Sequence, residues 1–381
     1  MSDAYKQRVQ EFDDLLNSTC VDREKLKKFA FEGIPEGAGR RSLSWRILLN
    51  YLPEERSTWN GVLTQQRKLY QQFLDEMILV SHSEKIVEDH PLNPNPESHW
   101  QSFFKDNEVL LQIDKDVRRL CPDISFFSQG STHPNVSVVK GRAERLHQRV
   151  QQTRLNAQTI ERKGLGMSKL SLSKKLAPES YAPLEDGEAH WEIVERILFL
   201  YAKLNPGQSY VQGMNEIIGP IYYVFASDSN VEWREYAEAD CFFCFTNLMS
   251  DIRDFFIKTL DEAETGINGL MIRFMNQVKI QDPKVHQRLT DQDIKPQFFA
   301  FRWLTLMLSQ EFDLPDVLRI WDSLLCDETR RDFLLAVCTA MVVLVRDDLL
   351  HNDFPENMKL LQNYPFTDVQ IILSKAASLM A

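Results

Sequence analysis

The chain has 381 residues, 43% of them apolar and 26% charged, with a formal net charge of −11. That apolar share excludes global disorder, and the length suits two domains or one large composite domain. The acidic balance excludes nucleic-acid binding through the general surface, so no nucleic-acid partner is expected.

Phe is heavily used and Gly is sparse, at 23 and 14 copies, which favours a helical protein over a loop-rich one. The N-terminus, MSDAYKQRVQEFDDLL, is charged and amphipathic rather than a secretory signal. With six scattered cysteines, it predicts a reduced, cytoplasmic protein. Cys241-x-x-Cys244 has no second Cys pair or close His pair to complete a metal site. Phe242, Phe243 and Phe245 surround it, so it reads as buried helix. The most apolar run, 334–345, falls short of the ~20 residues a bilayer needs and reads as a central core helix.

In chain order, residues 5–17 and 22–30 read as two amphipathic helices of an N-terminal extension, 1–30. The first places Val9, Phe12 and Leu16 on one face. A turn-rich stretch, 31–39, follows. Its Gly37-x-Gly39 is no phosphate loop, because no Gly-Lys-Ser/Thr follows and no strand precedes it. Leu43, Trp45 and Ile47 carry an apolar helix over 40–49, and 62–80 makes a longer one. Residues 90–96 form a Pro-rich loop.

Over 107–120, Leu110, Ile113 and Val117 repeat at i, i+3 and i+7, so one helix face is buried. Asp116 and Arg119 are three apart and can pair on the surface of that helix, which Cys121-Pro122 closes. Taken locally this is an ordinary surface ion pair, worth little.

Residues 125–188 differ in composition. Between 140 and 175, ten Lys and Arg residues stand against Glu144 and Glu161 alone. The segment reads as a basic, flexible insertion with one helix near 141–160. The sharper alternative is peripheral contact of 140–175 with an anionic membrane or an acidic partner.

From 189 onward helical patterns follow one another at 189–203, 213–226, 236–257, 267–276, 296–311, 314–326, 329–346 and 355–379. A turn at Gln281-Asp282-Pro283 breaks the series, but no alternating strand run and no fixed-period repeat interrupts it. Between the first two, Asn205-Pro206-Gly207 stops a helix. Gln212 then falls just past the turn, near the start of the next helix, where free backbone N–H groups favour anions. Gly213 behind it lets a large partner approach the backbone.

Gly33-Ile34-Pro35 with Arg41-x-x-x-Trp45, Ile113-x-x-Asp116-x-x-Arg119, and Tyr210-x-Gln212-Gly213-Met214 together resemble the TBC-domain family of Rab GTPase-activating proteins. Glu238-Ala239-Asp240, Phe301-Arg302-Trp303, Glu311-Phe312 and Trp321-Asp322 continue the likeness in order. Each short motif is weak, but the ordered set, from about 31 to about 370, is specific. The resemblance implies an all-α TBC domain at 31–375, built from two helical subdomains with a boundary near 225–235. Two departures stand out: Leu120 replaces the family's usual Thr, and the insertion at 125–188 is long.

The resemblance further implies a GTPase activator that completes its partner's active site rather than a self-contained enzyme. Phosphoryl transfer to water needs an oriented water and positive charge where the transition state gathers negative charge. Arg119 and Gln212 match the family's arginine and glutamine fingers, supplied in trans to a GTP-bound Rab-family GTPase. An arginine offers a permanent charge and a planar fork of donors; a carboxamide offers both a donor and an acceptor for water. Asp116 would orient Arg119, and Tyr210 and Gly213 would shape the glutamine turn. Arg41, Trp45, Arg302 and Trp303 would serve as scaffold or groove lining. GTP and Mg²⁺ would belong to the partner, so no cofactor of its own is expected. The implied setting is vesicle trafficking, in the cytoplasm or peripherally on a membrane. The alternative is a helical Rab-binding or membrane adaptor in which catalysis is incidental.

Overall fold

Every regular element among the described residues is helical, in a computed structural model that describes residues 3–79, 99–140, 145–154, 180–257 and 266–380. The only strand-like pairings among them are isolated bridges, Cys20 with Glu55 and Gly130 with Ala189. In chain order the helices are α1 (Asp3–Leu16), α2 (Arg23–Phe31), α3 (Arg40–Leu48), α4 (Trp59–Leu74), α5 (His99–Val117), α6 (Val136–Val139) and α7 (146–154). Next come α8 (His190–Leu204), α9 (Met214–Ala226), α10 (Val231–Glu235), α11 (Ala237–Ile252), α12 (Ile267–Gln281) and α13 (Pro283–Asp291). The last are α14 (Ala300–Thr305), α15 (Leu314–Leu324), α16 (Asp332–Leu344), α17 (Arg346–His351), α18 (Phe354–Gln362) and α19 (Val369–Met380).

The chain divides into two compact units. The first comprises residues 1–62, 223–231 and 243–381; the second comprises 63–222 and 232–242. In the first unit α16 is apolar all round and buried from Phe333 to Val342, as a central core helix must be. It packs against α12 and α19. A second centre of this unit is Asp322, whose buried carboxylate accepts from Trp45 Nε1 (2.9 Å), Arg41 Nε (3.1 Å) and the Ile34 N–H (3.0 Å). The Gly33-Ile34-Pro35 and Arg41/Trp45 motifs therefore converge on Asp322, and Trp45 stacks on Trp321 at 5.9 Å.

Three boundaries differ from the sequence expectation. The single helix expected over 355–379 is two, α18 and α19, because Pro365 cannot donate to the ladder and disfavours helical geometry at Tyr364. Helix 296–311 shrinks to α14, since Met307 and Leu308 both take positive φ (49° and 65°). The turn expected at Asp282-Pro283 instead starts α13: Asp282 caps it, accepting from the Lys284 and Val285 N–H groups, with Pro283 in the first turn.

The second unit is built on α5 against α8, which buries Leu110, Ile113 and Val117 from one helix and Trp191, Val194, Ile197 and Leu198 from the other. α8 is also lined with buried charge. Arg196 lies between Glu188 (Nη2–Oε2 3.1 Å) and Glu238 (Nε–Oε1 2.6 Å), and Tyr70 donates to the same Glu238 at 2.6 Å.

The expectation of a flexible insertion over 125–188 needs correction wherever the residues are described. Leu146 and Val150 of α7 are buried. Arg149 donates to Asn107 at 2.5 Å, Arg154 to Asp114 at 2.7 Å, and His147 lies 2.9 Å from Glu192. Basic side chains that read as a solvated run are thus matched to acidic and amide groups on α5 and α8. Residues 141–144 and 155–179, with most of the remaining basic run, lie outside the described residues, as does the loop at 90–96.

Candidate functional site

The site is assembled wholly within the second unit. After Val117, α5 tightens into i→i+3 bonds: the Arg119 N–H donates to Asp116 O (3.1 Å) and the Leu120 N–H to Val117 O (3.2 Å). Cys121 then adopts positive φ (44°), and Pro122 ends any return to helix. Arg119 thus sits on the last exposed step before a chain reversal.

Two adjacent arginines occupy this step, and their environments are opposite. Arg118 is buried. Its Nε donates to Asp114 at 2.7 Å, its Nη1 to Tyr181 O at 2.7 Å, and its guanidinium lies 4.3 Å from the Trp191 ring centre. Arg119 leaves 58% of its side chain exposed. Among the described residues only its Nε is hydrogen-bonded, to Lys115 O at 3.1 Å, while Nη2 stands 3.8 Å from Asp116. Arg118 is an internal anchor; the terminal N–H donors of Arg119 have no hydrogen-bond acceptor among the described residues.

The glutamine segment begins where α8 ends. Asn205 accepts from the N–H groups of Gln208 (3.0 Å) and Ser209 (2.7 Å), and Ser209 turns through positive φ (58°). Tyr201 reaches back to Gln208 at 2.7 Å and braces the turn. Gly213 has φ of 102°, a conformation that a side chain there would strain. Gln212 precedes it, exposed, with no side-chain hydrogen bond among the described residues. It stands two residues ahead of α9, where the first N–H groups have no helical acceptor.

A buried hydroxyl ties the two segments together. Tyr210 donates to Asp116 Oδ2 at 2.7 Å, with Asn215 Oδ1 at 3.3 Å from the same oxygen. Burial raises the Asp116 carboxyl above the ordinary carboxylate range, against the opposing pull of the Tyr210 hydrogen bond and of the Arg119 and Lys115 charges. Burial, and then the Asp116 charge, hold the Tyr210 hydroxyl well above its usual value, so it remains a donor. A second tie is steric. Leu120 is buried, and a Cβ added at Gly219 of α9 would lie 3.0 Å from its Cδ1, so the leucine side chain packs directly onto the α9 backbone where a side chain is missing. The leucine that departs from the family pattern is therefore a packing residue.

Of the residues singled out from the sequence, Arg119, Asp116, Tyr210, Gln212 and Gly213 come together here. Arg41, Trp45, Arg302 and Trp303 belong to the other unit. Arg41 and Trp45 hold Asp322; Trp303 is buried edge-on to Phe299 at 5.1 Å. Arg302 pairs with the buried Glu311 at 2.5 Å. Arg118, Tyr181 and Asn215 were not foreseen, although the Asp114/Arg118 spacing of four carried a signal for the first. The thiol of Cys121 beside Arg119 is pushed up to about 12 by burial and by Glu216 and Asp123, so it is no nucleophile. Among the described residues no cluster of three or more His, Cys, Asp or Glu is arranged to hold a metal ion. No helix among them is long and apolar enough to cross a membrane. What the site presents is a guanidinium fork and a carboxamide, suited to a phosphate and a water rather than to covalent chemistry.

The family model of the Rab-GTPase-TBC domain matches residues 178–350, a span that includes Gln212 and starts beyond Arg119. TBC1 domain family member 13 of Homo sapiens is 55% identical over 396 residues, covering 100% of this chain and 99% of that protein. Its Mus musculus counterpart matches to the same extent. A TBC domain-containing protein of Schizosaccharomyces pombe is 34% identical over 445 residues, with 97% of this chain and 72% of that one covered. Among solved structures, the Ypt/Rab-GAP domain of Gyp1p shares the fold at a TM-score of 0.68 and 23% identity, over 99% of this chain and 97% of that one. With 55% identity maintained along its whole length, the chain belongs to the TBC-domain family of Rab GTPase-activating proteins.

Proposed function

We propose that this protein accelerates GTP hydrolysis on a GTP-bound Rab-family GTPase, with Arg119 and Gln212 acting in trans. Arg119 neutralises charge developing on the transferred phosphoryl group, and Gln212 orients the attacking water in place of the GTPase's own glutamine. GTP and Mg²⁺ arrive with the partner, and the output is termination of a Rab signal in membrane trafficking. The observation that carries this reading is the Tyr210–Asp116 hydrogen bond. It links the arginine and glutamine segments, leaves both functional side chains exposed, and lies inside one unit. A catalytic arginine of this kind is worth about 10³–10⁵ in rate in the Ras system.

The test is single-turnover GTP hydrolysis across a panel of Rab proteins. On a responsive Rab, Arg119→Ala and Gln212→Ala should each lower stimulation by at least about 100-fold, with the fold intact by circular dichroism. Wild-type stimulation by both variants would overturn the two-finger reading, and Rab binding by the wild type with no rate enhancement on any Rab would leave the adaptor alternative. Peripheral membrane contact through 140–175 is a weaker element of the proposal. Arg145 pairs with Glu192, and Arg149 and Arg154 are committed to α5, so any such contact rests on other residues of the run.

A further inference from the structure

We infer that Tyr181, which the chain reaches at the far end of the basic insertion, is a positioning residue for Arg119. The inference rests on the proposed role of Arg119 and adds to it. Tyr181 hydrogen-bonds to Arg118 and Leu120, the two neighbours of Arg119, with Cys121 O also within reach of its hydroxyl. Its N–H donates to Arg118 O at 2.9 Å, and its own carbonyl accepts from Arg118 Nη1 at 2.7 Å. Its hydroxyl reaches Leu120 O at 2.8 Å and Cys121 O at 3.2 Å. The carbonyls of Arg118 and Leu120, on either side of Arg119, are therefore held by a single residue 62 positions further along the chain.

Helix geometry cannot supply this hold. The carbonyls of residues 118, 120 and 121 lie past the end of α5, where no later helical N–H exists to meet them. Without Tyr181 the carbonyls of 118 and 120 would turn to water, Cys121 O would be left with the Ile124 N–H at 3.2 Å, and the reversal at Cys121, already at positive φ, would lose a brace. Arg119 does little to fix itself, because among the described residues its side chain is hydrogen-bonded through Nε alone. Asp116 and Tyr210 hold the segment from the helix side, and Tyr181 holds it from the other. Burial pushes the Tyr181 hydroxyl up to about 12, so it stays a donor at any physiological pH. The same insertion carries α7, which is clamped to Asp114 and Asn107 of α5.

The experiment compares the full-length wild type with Tyr181→Phe, Tyr181→Ala and Arg119→Ala on the most responsive Rab. The assay runs at a temperature where all four are folded. Tyr181→Phe keeps the ring and both main-chain bonds and removes only the hydroxyl. Its kcat for stimulated hydrolysis should fall about 3- to 10-fold, the worth of one hydrogen bond, while KM for the Rab changes less than about twofold. Amide exchange should speed up over 118–124 and stay unchanged over 205–213. Tyr181→Ala should lose more kcat in the same pattern. If Tyr181→Phe retains wild-type kcat while Arg119→Ala abolishes stimulation, the positioning role is overturned and the finger stands. If kcat and thermal stability fall together only in Tyr181→Ala, Tyr181 is structural and the inference is equally overturned. If Arg119→Ala stimulates normally, the finger assignment fails and the inference falls with it.

Discussion

Replacing Tyr210 with Phe removes one oxygen and leaves the ring in place. That hydroxyl has one hydrogen and two candidate acceptors, Asp116 Oδ2 at 2.7 Å and Asn215 Oδ1 at 3.3 Å, and the shorter contact to a carboxylate takes it. Tyr210 and Asp116 are 6% and 9% exposed, so water replaces the lost donor poorly. A hydrogen bond to a charged group is worth about 1.5–3 kcal/mol, and the midpoint of urea unfolding should fall by a corresponding amount. The functional effect has a different origin. Residue 210 is two positions from Gln212, and Asp116 is one helical turn from Arg119. Loosening the bond frees the two groups proposed to meet one nucleotide, and a displacement of about 1 Å can cost about 100-fold in rate. Tyr210→Phe should therefore lower kcat about 10- to 100-fold with KM nearly unchanged. Asp116→Asn should also be slow, and the double variant should be no slower than the worse single one. Multiplicative losses in the double variant, or a variant that is less stable yet fully active, would show that the hydroxyl braces the fold without aligning the two groups.

Two further predictions concern stability. His190 is buried, donates to or accepts from Tyr222 at 2.7 Å and stacks on Phe126, and burial lowers its pKa to about 4. Because the folded value lies below the unfolded one, the unfolded chain takes up the proton first, and stability is lost as pH falls from about 6.5 to about 4. At about 1.4 kcal/mol per unit the loss is about 3 kcal/mol, and urea titrations of the wild type across that range should lose this much more than those of His190→Gln. In the other unit, Asp322→Ala leaves Arg41, Trp45 Nε1 and the Ile34 N–H without their buried acceptor. It should destabilise by about 3–5 kcal/mol, and a shift below about 1 kcal/mol in urea unfolding would remove Asp322 from the centre of that packing.

Much of the fold was legible in periodicity, because an apolar stripe is a local property of the chain. The buried faces of α5 and α8 and the all-round apolar α16 follow from spacing alone. Boundaries set by a single residue were less legible. Pro283 was read as a break although Asp282 caps the helix that Pro283 starts, and Pro365 divides a pattern that reads as continuous. Within the site, Arg119 and Gln212 are recognisable by motif, and Asp116 and Tyr210 by proximity to them. The hydrogen bond between the last two spans 94 positions, and no local pattern records it. The basic insertion misled for a related reason. Charge counts report the number of basic groups but not their partners, and Asp114, Asn107 and Glu192 lie on helices far from α7 in the chain.

The neighbouring arginines show how the site reconciles rigidity with availability. A guanidinium that must bind a foreign phosphate cannot be restrained through its own donors, since each internal bond removes one from the partner. Its backbone has to be restrained instead. Arg118 does this with its own side chain, spanning from Asp114 in α5 to the Tyr181 carbonyl. Leu120 does it by packing against Gly219 of α9. Residues 118 and 120 are thus turned inward, and residue 119 between them is turned out with one bond at Nε. The loss of freedom that binding would otherwise require at this segment has already occurred on folding, which leaves the side chain to respond to the partner. On this basis Arg118→Lys should be as informative as any change at Arg119. It keeps the charge and loses the planar fork that reaches both Asp114 and Tyr181. The expected result is slower hydrolysis on the responsive Rab with unchanged KM, and an unchanged kcat would mean that Arg119 is held well enough without its neighbour.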